Sequence, residues 1–207
     1  MPHIPYVDPS TITDGEILGY LERARREGTP RPESRAVRAN NPSVIRAFSQ
    51  AWELTFRQGV CDHAIKELCR VYVSKSIECE YRGVQRSVQA GRKGLTEDKY
   101  DDLLHFADSP KFTEREKAAL TYASAIAWNA EIADEALWAQ LHRHFSNPEL
   151  VELGFFIALT LGQQRWIKTL GLGHGEVLGD TRRGLSRPAA ERVSGKAKRK
   201  PGSARKG

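Results

Sequence analysis

Long apolar runs are what this chain most plainly lacks. The longest, Leu153 to Gly162, has Glu152 at its edge and covers about half of the roughly 20 residues that span a bilayer, so no transmembrane helix is expected. The start, Met1-Pro2-His3-Ile4-Pro5, carries neither the charged nor the apolar region of a secretory signal, and a cytoplasmic address follows. Cysteine is scarce: Cys61, Cys69 and Cys79 are too few and too odd in number for a disulfide framework, which fits a reducing compartment and three free thiols. Strand patterns and solenoid repeats are nearly absent as well.

What is present suffices for one domain with a real core: 207 residues, 40% apolar and 28% charged. The 32 Lys+Arg against 26 Asp+Glu give a net charge of +6, which taken alone suggests a polyanionic partner. The excess is local. Residues 181–207 hold ten Lys/Arg and one Glu, among Gly, Ser, Pro and Ala, whereas residues 1–180 carry a net −3. The expected organisation is an N-terminal helix and linker (1–39), a helical domain (40–180) and a disordered basic tail (181–207) that can touch polyanions non-specifically.

Helix signals dominate. Thr13 and Glu16 form a capping box before the Ile17, Leu18, Leu21 stripe, predicting a helix to about Glu27 that Gly28-Thr29-Pro30-Arg31-Pro32 terminates. Asn41-Pro42 opens a second, running to about Gln58. Asp62 caps a third through Ile65, Leu68, Cys69 and Tyr72, and a fourth is expected over Cys79 to Ala90. Thr96 opens a short helix toward Phe106. Thr113 with Glu116 caps an alanine-rich helix whose small side chains suit a central position. Asp134 and Asn147-Pro148 begin the last two. The fold class is all-α, a helical bundle.

Few residues look chemical. On a continuous helix Glu67 and Cys79 would stand roughly 18 Å apart, so they share a site only if the chain breaks between them. With Ser76 as N-cap, Cys79 falls at the third helical position, where the dipole favours thiolate; Arg82 and Arg86, further along the same side, favour it too. Each has a plainer role open to it. Glu67 and Arg70 make a surface pair, Cys79 an inert buried thiol, Arg82 and Arg86 solvated or subunit-contacting arginines. Cys61 and Cys69 read as core. His142 and His144 lie about 200° apart on a helix and cannot share a metal, so no metal site is expected. Gly171-Leu172-Gly173-His174-Gly175 follows a helix instead of a strand and reads as its terminator. The four tryptophans sit in helical stripes and read as packing.

The Glu67 to Arg86 block resembles the carboxymuconolactone decarboxylase family, which includes alkylhydroperoxidase D. Its peroxidase branch has a Glu, a Cys-x-x-Cys twelve residues on, and a His four residues after the second Cys. Glu67 and Cys79 match; Arg82 replaces the second Cys and Arg86 the His. Ala118-Ala119-Leu120-Thr121-Tyr122-Ala123, Ile132 to Glu135 and Val151 to Arg165 extend the likeness over about residues 40 to 172. The resemblance implies a cofactor-free homotrimer or homohexamer acting on a small molecule.

Three functions follow as expectations. In the first, an acid/base enzyme of the decarboxylase type, Arg82 and Arg86 hold a substrate carboxylate, Glu67 relays a proton and Cys79 serves the site. Arginine itself cannot act as a base at neutral pH. In the second, Cys79 alone performs peroxidase chemistry, activated by Arg82 and regenerated by an external thiol. In the third, catalysis is lost and the domain is a scaffold.

Overall fold

The computed structural model describes residues 2–179 and 183–186. Among them the chain is helical with no strand; one isolated antiparallel bridge joins Gln85 to Leu185. Ten α-helices follow in order: α1 (Gly15–Glu27), α2 (Pro32–Arg38), α3 (Pro42–Trp52), α4 (His63–Ser76), α5 (Glu80–Gly83), α6 (Val88–Arg92), α7 (Glu97–Asp101), α8 (Glu114–Ala127), α9 (Glu135–His144) and α10 (Asn147–Lys168). A π-helical turn, Glu53–Arg57, prolongs α3 as far as the second predicted helix reached.

The core forms where α4, α8 and α10 meet. Leu68, Cys69, Val71 and Val73 of α4 pack against Ala118, Ala119 and Ala123 of α8 and Leu153 and Ile157 of α10, all nearly or fully buried. The alanines let α8 come close enough for the Cys69 thiol to reach the Ala119 carbonyl at 3.6 Å. Removing these side chains from water is the main stabilising contribution, about 1.5–3 kcal/mol for each large one. The Thr113–Glu116 capping box opens α8 as predicted.

Elsewhere local chemistry moved the boundaries. Asp14, not Thr13, caps α1, accepting from Glu16 and Ile17; Ser146 and Glu149 make the box that starts α10. The stretch read as linker contains α2, which Pro32 starts and whose seven residues are all buried. The helix expected over Cys79 to Ala90 is two short ones, because the chain leaves helical geometry after Val84, where Gln85 pairs with Leu185. There Arg86 N–H donates to Gly184 O (2.6 Å) and Ser186 N–H to Val84 O (2.8 Å). The start of the supposed tail therefore packs on the domain, while residues 180–182 and 187–207 lie outside the described residues. No helix among the described residues is long and apolar enough to cross a membrane.

Candidate functional site

The break between Glu67 and Cys79 exists, but Ser76 does not start a helix; it ends one. After α4 the chain turns at Ile77 and Glu78, whose φ of 53° is left-handed, a position usually given to glycine. The Cys79 N–H closes the turn by donating to Ser74 O at 2.9 Å. Cys79 then stands just before α5, accepting the N–H groups of Arg82 (3.1 Å) and Gly83 (2.8 Å) on its carbonyl.

Cys79 is 2% exposed, with its thiol 3.9 Å from the Gln164 carbonyl. It forms part of the wall between two clefts, of about 490 Å³ and 370 Å³, that share Glu78 and Glu80. Arg86 and Ser186 line the larger. Arg86 is engaged there: it donates to Glu97 at 2.9 and 3.1 Å and to the Gly83 and Gln85 carbonyls, with its guanidinium 4.3 Å from the Tyr100 ring.

Arg82 goes the other way. Since α5 ends at Gly83, the expected shared helical face for Arg82 and Arg86 does not form. Arg82 is fully buried, 5.5 Å from the Trp52 ring, and none of its three guanidinium nitrogens has a hydrogen-bond partner among the described residues. Burial, then repulsion from Arg70, lowers its pKa to about 10, while the negative ends of Tyr81, Cys79 and Glu67 pull the other way.

Glu67 and Arg70 form the pair expected on the surface, but inside the core. Arg70 donates to both carboxylate oxygens at 2.6 and 2.8 Å, and the Ser87 N–H adds a third bond at 2.7 Å. Arg70 also reaches the carbonyls of Arg82 (3.3 Å) and Gln85 (2.7 Å), fastening residues 82–87 to α4. Cys79 and Arg86 thus share a cleft, and Glu67 and Arg82 do not line it.

Two residues escaped the sequence reading. Arg70 organises the site, yet its spacing from Glu67 looks the same on a surface helix. His63 is buried, with Nδ1 2.7 Å from Phe56 O and Nε2 2.8 Å from Ser87 Oγ. Nδ1 must donate to the carbonyl, so Nε2 accepts the Ser87 hydroxyl, and burial lowers the pKa to about 4, keeping the ring neutral. Nothing in its sequence context marked it. Burial also pushes the Cys61 thiol up to about 12 and Cys69 well above its ordinary value.

This helical fold is shared with solved structures. The AhpD core of an uncharacterized peroxidase-related protein from Ralstonia eutropha JMP134 superposes with a TM-score of 0.65 at 17% identity, over 83% of this chain and 91% of that one. The chain has the alkylhydroperoxidase D fold. The debrominase Bmp8 in its apo form gives 0.66 at 18% identity, covering 83% of this AhpD-fold chain and 92% of its own. Among curated proteins, the uncharacterized protein YnjA of Escherichia coli (strain K12) is 28% identical over 98 residues, 47% of this chain. The chain spans about half the length of that relative, 54%. No family model matches the chain.

Proposed function

We propose that this AhpD-fold protein is a single-thiol enzyme that reduces a small hydroperoxide in the cleft beside Cys79. The observation that carries the reading is Cys79 in the wall of a cleft that Arg86 also lines, with the fully buried Arg82 three residues on, its guanidinium without a hydrogen-bond partner among the described residues. A cation held out of water favours thiolate more strongly than an exposed one does. The Cys79 thiolate attacks the terminal peroxide oxygen; the O–O bond breaks, the sulfur becomes a sulfenate, and the alkoxide leaves with a proton as alcohol. An external thiol condenses with the sulfenic acid, releasing water and forming a mixed disulfide, and a second thiol restores Cys79 and carries off the disulfide. Arg86, which lines the cleft together with Lys75, orients the substrate.

Acid/base decarboxylation is less well supported. Three donors already occupy the Glu67 carboxylate, and Glu67 does not line the cleft in which a substrate would meet a relay. We further propose a cytoplasmic setting, where reduced thiols are available, and a homo-oligomer closed through the exposed face of Leu54, Val151 and Phe155 (62, 74 and 52% exposed). Any polyanion contact through 181–207 is separable from the domain's activity.

Intact-mass and peptide mass spectrometry after stoichiometric peroxide tests the reaction. One oxygen on Cys79, removed by small thiols and absent in Cys79→Ser, is expected. An inert Cys79 alongside no turnover overturns the reading in favour of a scaffold.

A further inference from the structure

Helix α2 carries two arginines into the interior to meet Arg82. Arg35, Arg38 and Arg82 are 4, 1 and 0% exposed, and each lies within electrostatic reach of another. Their hydrogen-bond partners are neutral. Arg35 donates to Ser49 Oγ; Arg38 donates to Ser34 O (2.6 Å), Ser34 Oγ (2.5 Å) and Gln163 Oε1 (2.6 Å); Arg82 has none among the described residues. Nearby carboxylates are engaged elsewhere: Glu67 with Arg70, Glu27 with Arg57, Glu33 with Arg31.

Aromatic rings form the floor of this cluster. The guanidinium carbons of Arg35 and Arg38 lie 4.8 and 3.9 Å from the Phe48 ring, and Arg38 lies 4.8 Å from Trp166. Phe48 is 5.6 Å from Trp52, the ring beside Arg82. Ring faces offset part of the desolvation of a cation but carry no net charge to cancel it. Burial lowers the pKa of Arg35 to about 9, helped by repulsion from Arg57 and then Arg82, and that of Arg82 to about 10, helped by repulsion from Arg70, so both remain cations at neutral pH. Buried charges are otherwise found paired.

We propose that Arg35, Arg38 and Arg82 form an interior receptor for a small oxyanion of at least two negative charges, a phosphate or a dicarboxylate. The idle donors are the three guanidinium nitrogens of Arg82 and the Nε of Arg35 and of Arg38. A rigid fork of this kind matches oxyanion geometry better than it matches a halide. The receptor does not depend on Cys79 being the reacting thiol.

Calorimetric and thermal titration of the full chain with inorganic phosphate and with malonate, against chloride at equal ionic strength, tests it. At 100-fold excess over Kd the bound oxyanion is expected to raise Tm by about 5–10 °C, with chloride inert. The stronger of the two oxyanions names the source chemistry. Arg35→Gln and Arg38→Gln each weaken binding at least tenfold, whereas anions held only by the basic 181–207 segment bind the variants unchanged. Equal response to chloride, or undiminished binding by the variants, overturns the proposal. Should those variants not fold, Arg82→Met without anion is expected to melt higher than the parent and to lose its phosphate response; any other combination overturns it. Cys79→Ser protein retains oxyanion binding, so failure of the thiol reading and failure of the receptor are read separately.

Discussion

Arg70 grips Glu67 with two hydrogen bonds of 2.6 and 2.8 Å in a place where neither side chain meets solvent. The same guanidinium holds the Arg82 and Gln85 carbonyls, so the pair sets the course of the chain after Cys79. Removing one partner leaves the other charged, buried and alone. Arg70→Met is expected to destabilise by about 3–5 kcal/mol, and Glu67→Gln by a similar amount. The double variant Glu67→Gln/Arg70→Met should lose less than the sum of the two. Urea denaturation of the three proteins checks the coupling.

Thiol labelling should separate the three cysteines. Burial raises the Cys61 thiol to about 12 and Cys69 well above its ordinary value, so both stay protonated at neutral pH. Iodoacetamide on the native protein should alkylate Cys79 first, with Cys61 and Cys69 labelling only on unfolding. Peptide mass spectrometry over a time course reads the order. Prior loss of Cys69 would contradict it.

If Arg82 stabilises the Cys79 thiolate, Arg82→Met slows peroxide reduction about tenfold at pH 7 for each unit by which the thiol pKa rises. The pH–rate profile moves to higher pH, and Arg82→Lys recovers part of the rate. A Met variant that folds and shows an unshifted profile removes Arg82 from the reaction.

Acid should weaken the fold through His63. Its pKa is about 4 folded against an ordinary 6.5, so between those values the unfolded chain binds a proton that the native one does not. The contribution is complete above about pH 6.5 and is lost as pH falls toward 4, on the order of 3 kcal/mol. His63→Gln, measured by denaturation from pH 4 to 7.5, should flatten that slope.

Gly28 and Gly184 test the contact that residues 183–186 make with the domain. Gly28 has φ +80°, and a Cβ there would stand 2.8 Å from Gly184 Cα and collide with the Arg86 carbonyl oxygen. Gly28→Ala should cost about 1–3 kcal/mol, or roughly 2–10 °C in Tm. Differential scanning calorimetry measures it.

The proposed subunit face predicts that Phe155→Glu with Val151→Glu lowers the mass seen by light scattering to that of one chain, 23.2 kDa, with helicity retained. An unchanged mass would move the interface elsewhere.

Much of the fold was legible because its signals are local. Capping side chains at Asp62, Thr113 and Asp134, with apolar side chains at helical spacing behind them, specify an all-α chain without reference to distant residues. Cys79 was legible through a resemblance and the need for a break before it. The helix α2 was not, because Pro30, Arg31 and Pro32 read as a linker, and only the surrounding body makes a helix with two buried arginines worth forming.

The direction taken by each arginine depended on tertiary structure. Sequence placed Arg82 and Arg86 four apart on one presumed helix, a spacing that brings side chains together only while the helix continues. Pairing of Gln85 with Leu185, exactly one hundred residues away in number, ends it. Arg82 is thereby turned to the core and Arg86 to Glu97 and the cleft. Charge, helix content and the thiol count were set by the sequence itself, since composition and short-range periodicity carry them. Which charges lose their water, and which face a partner, was decided by long-range packing that no local spacing encodes.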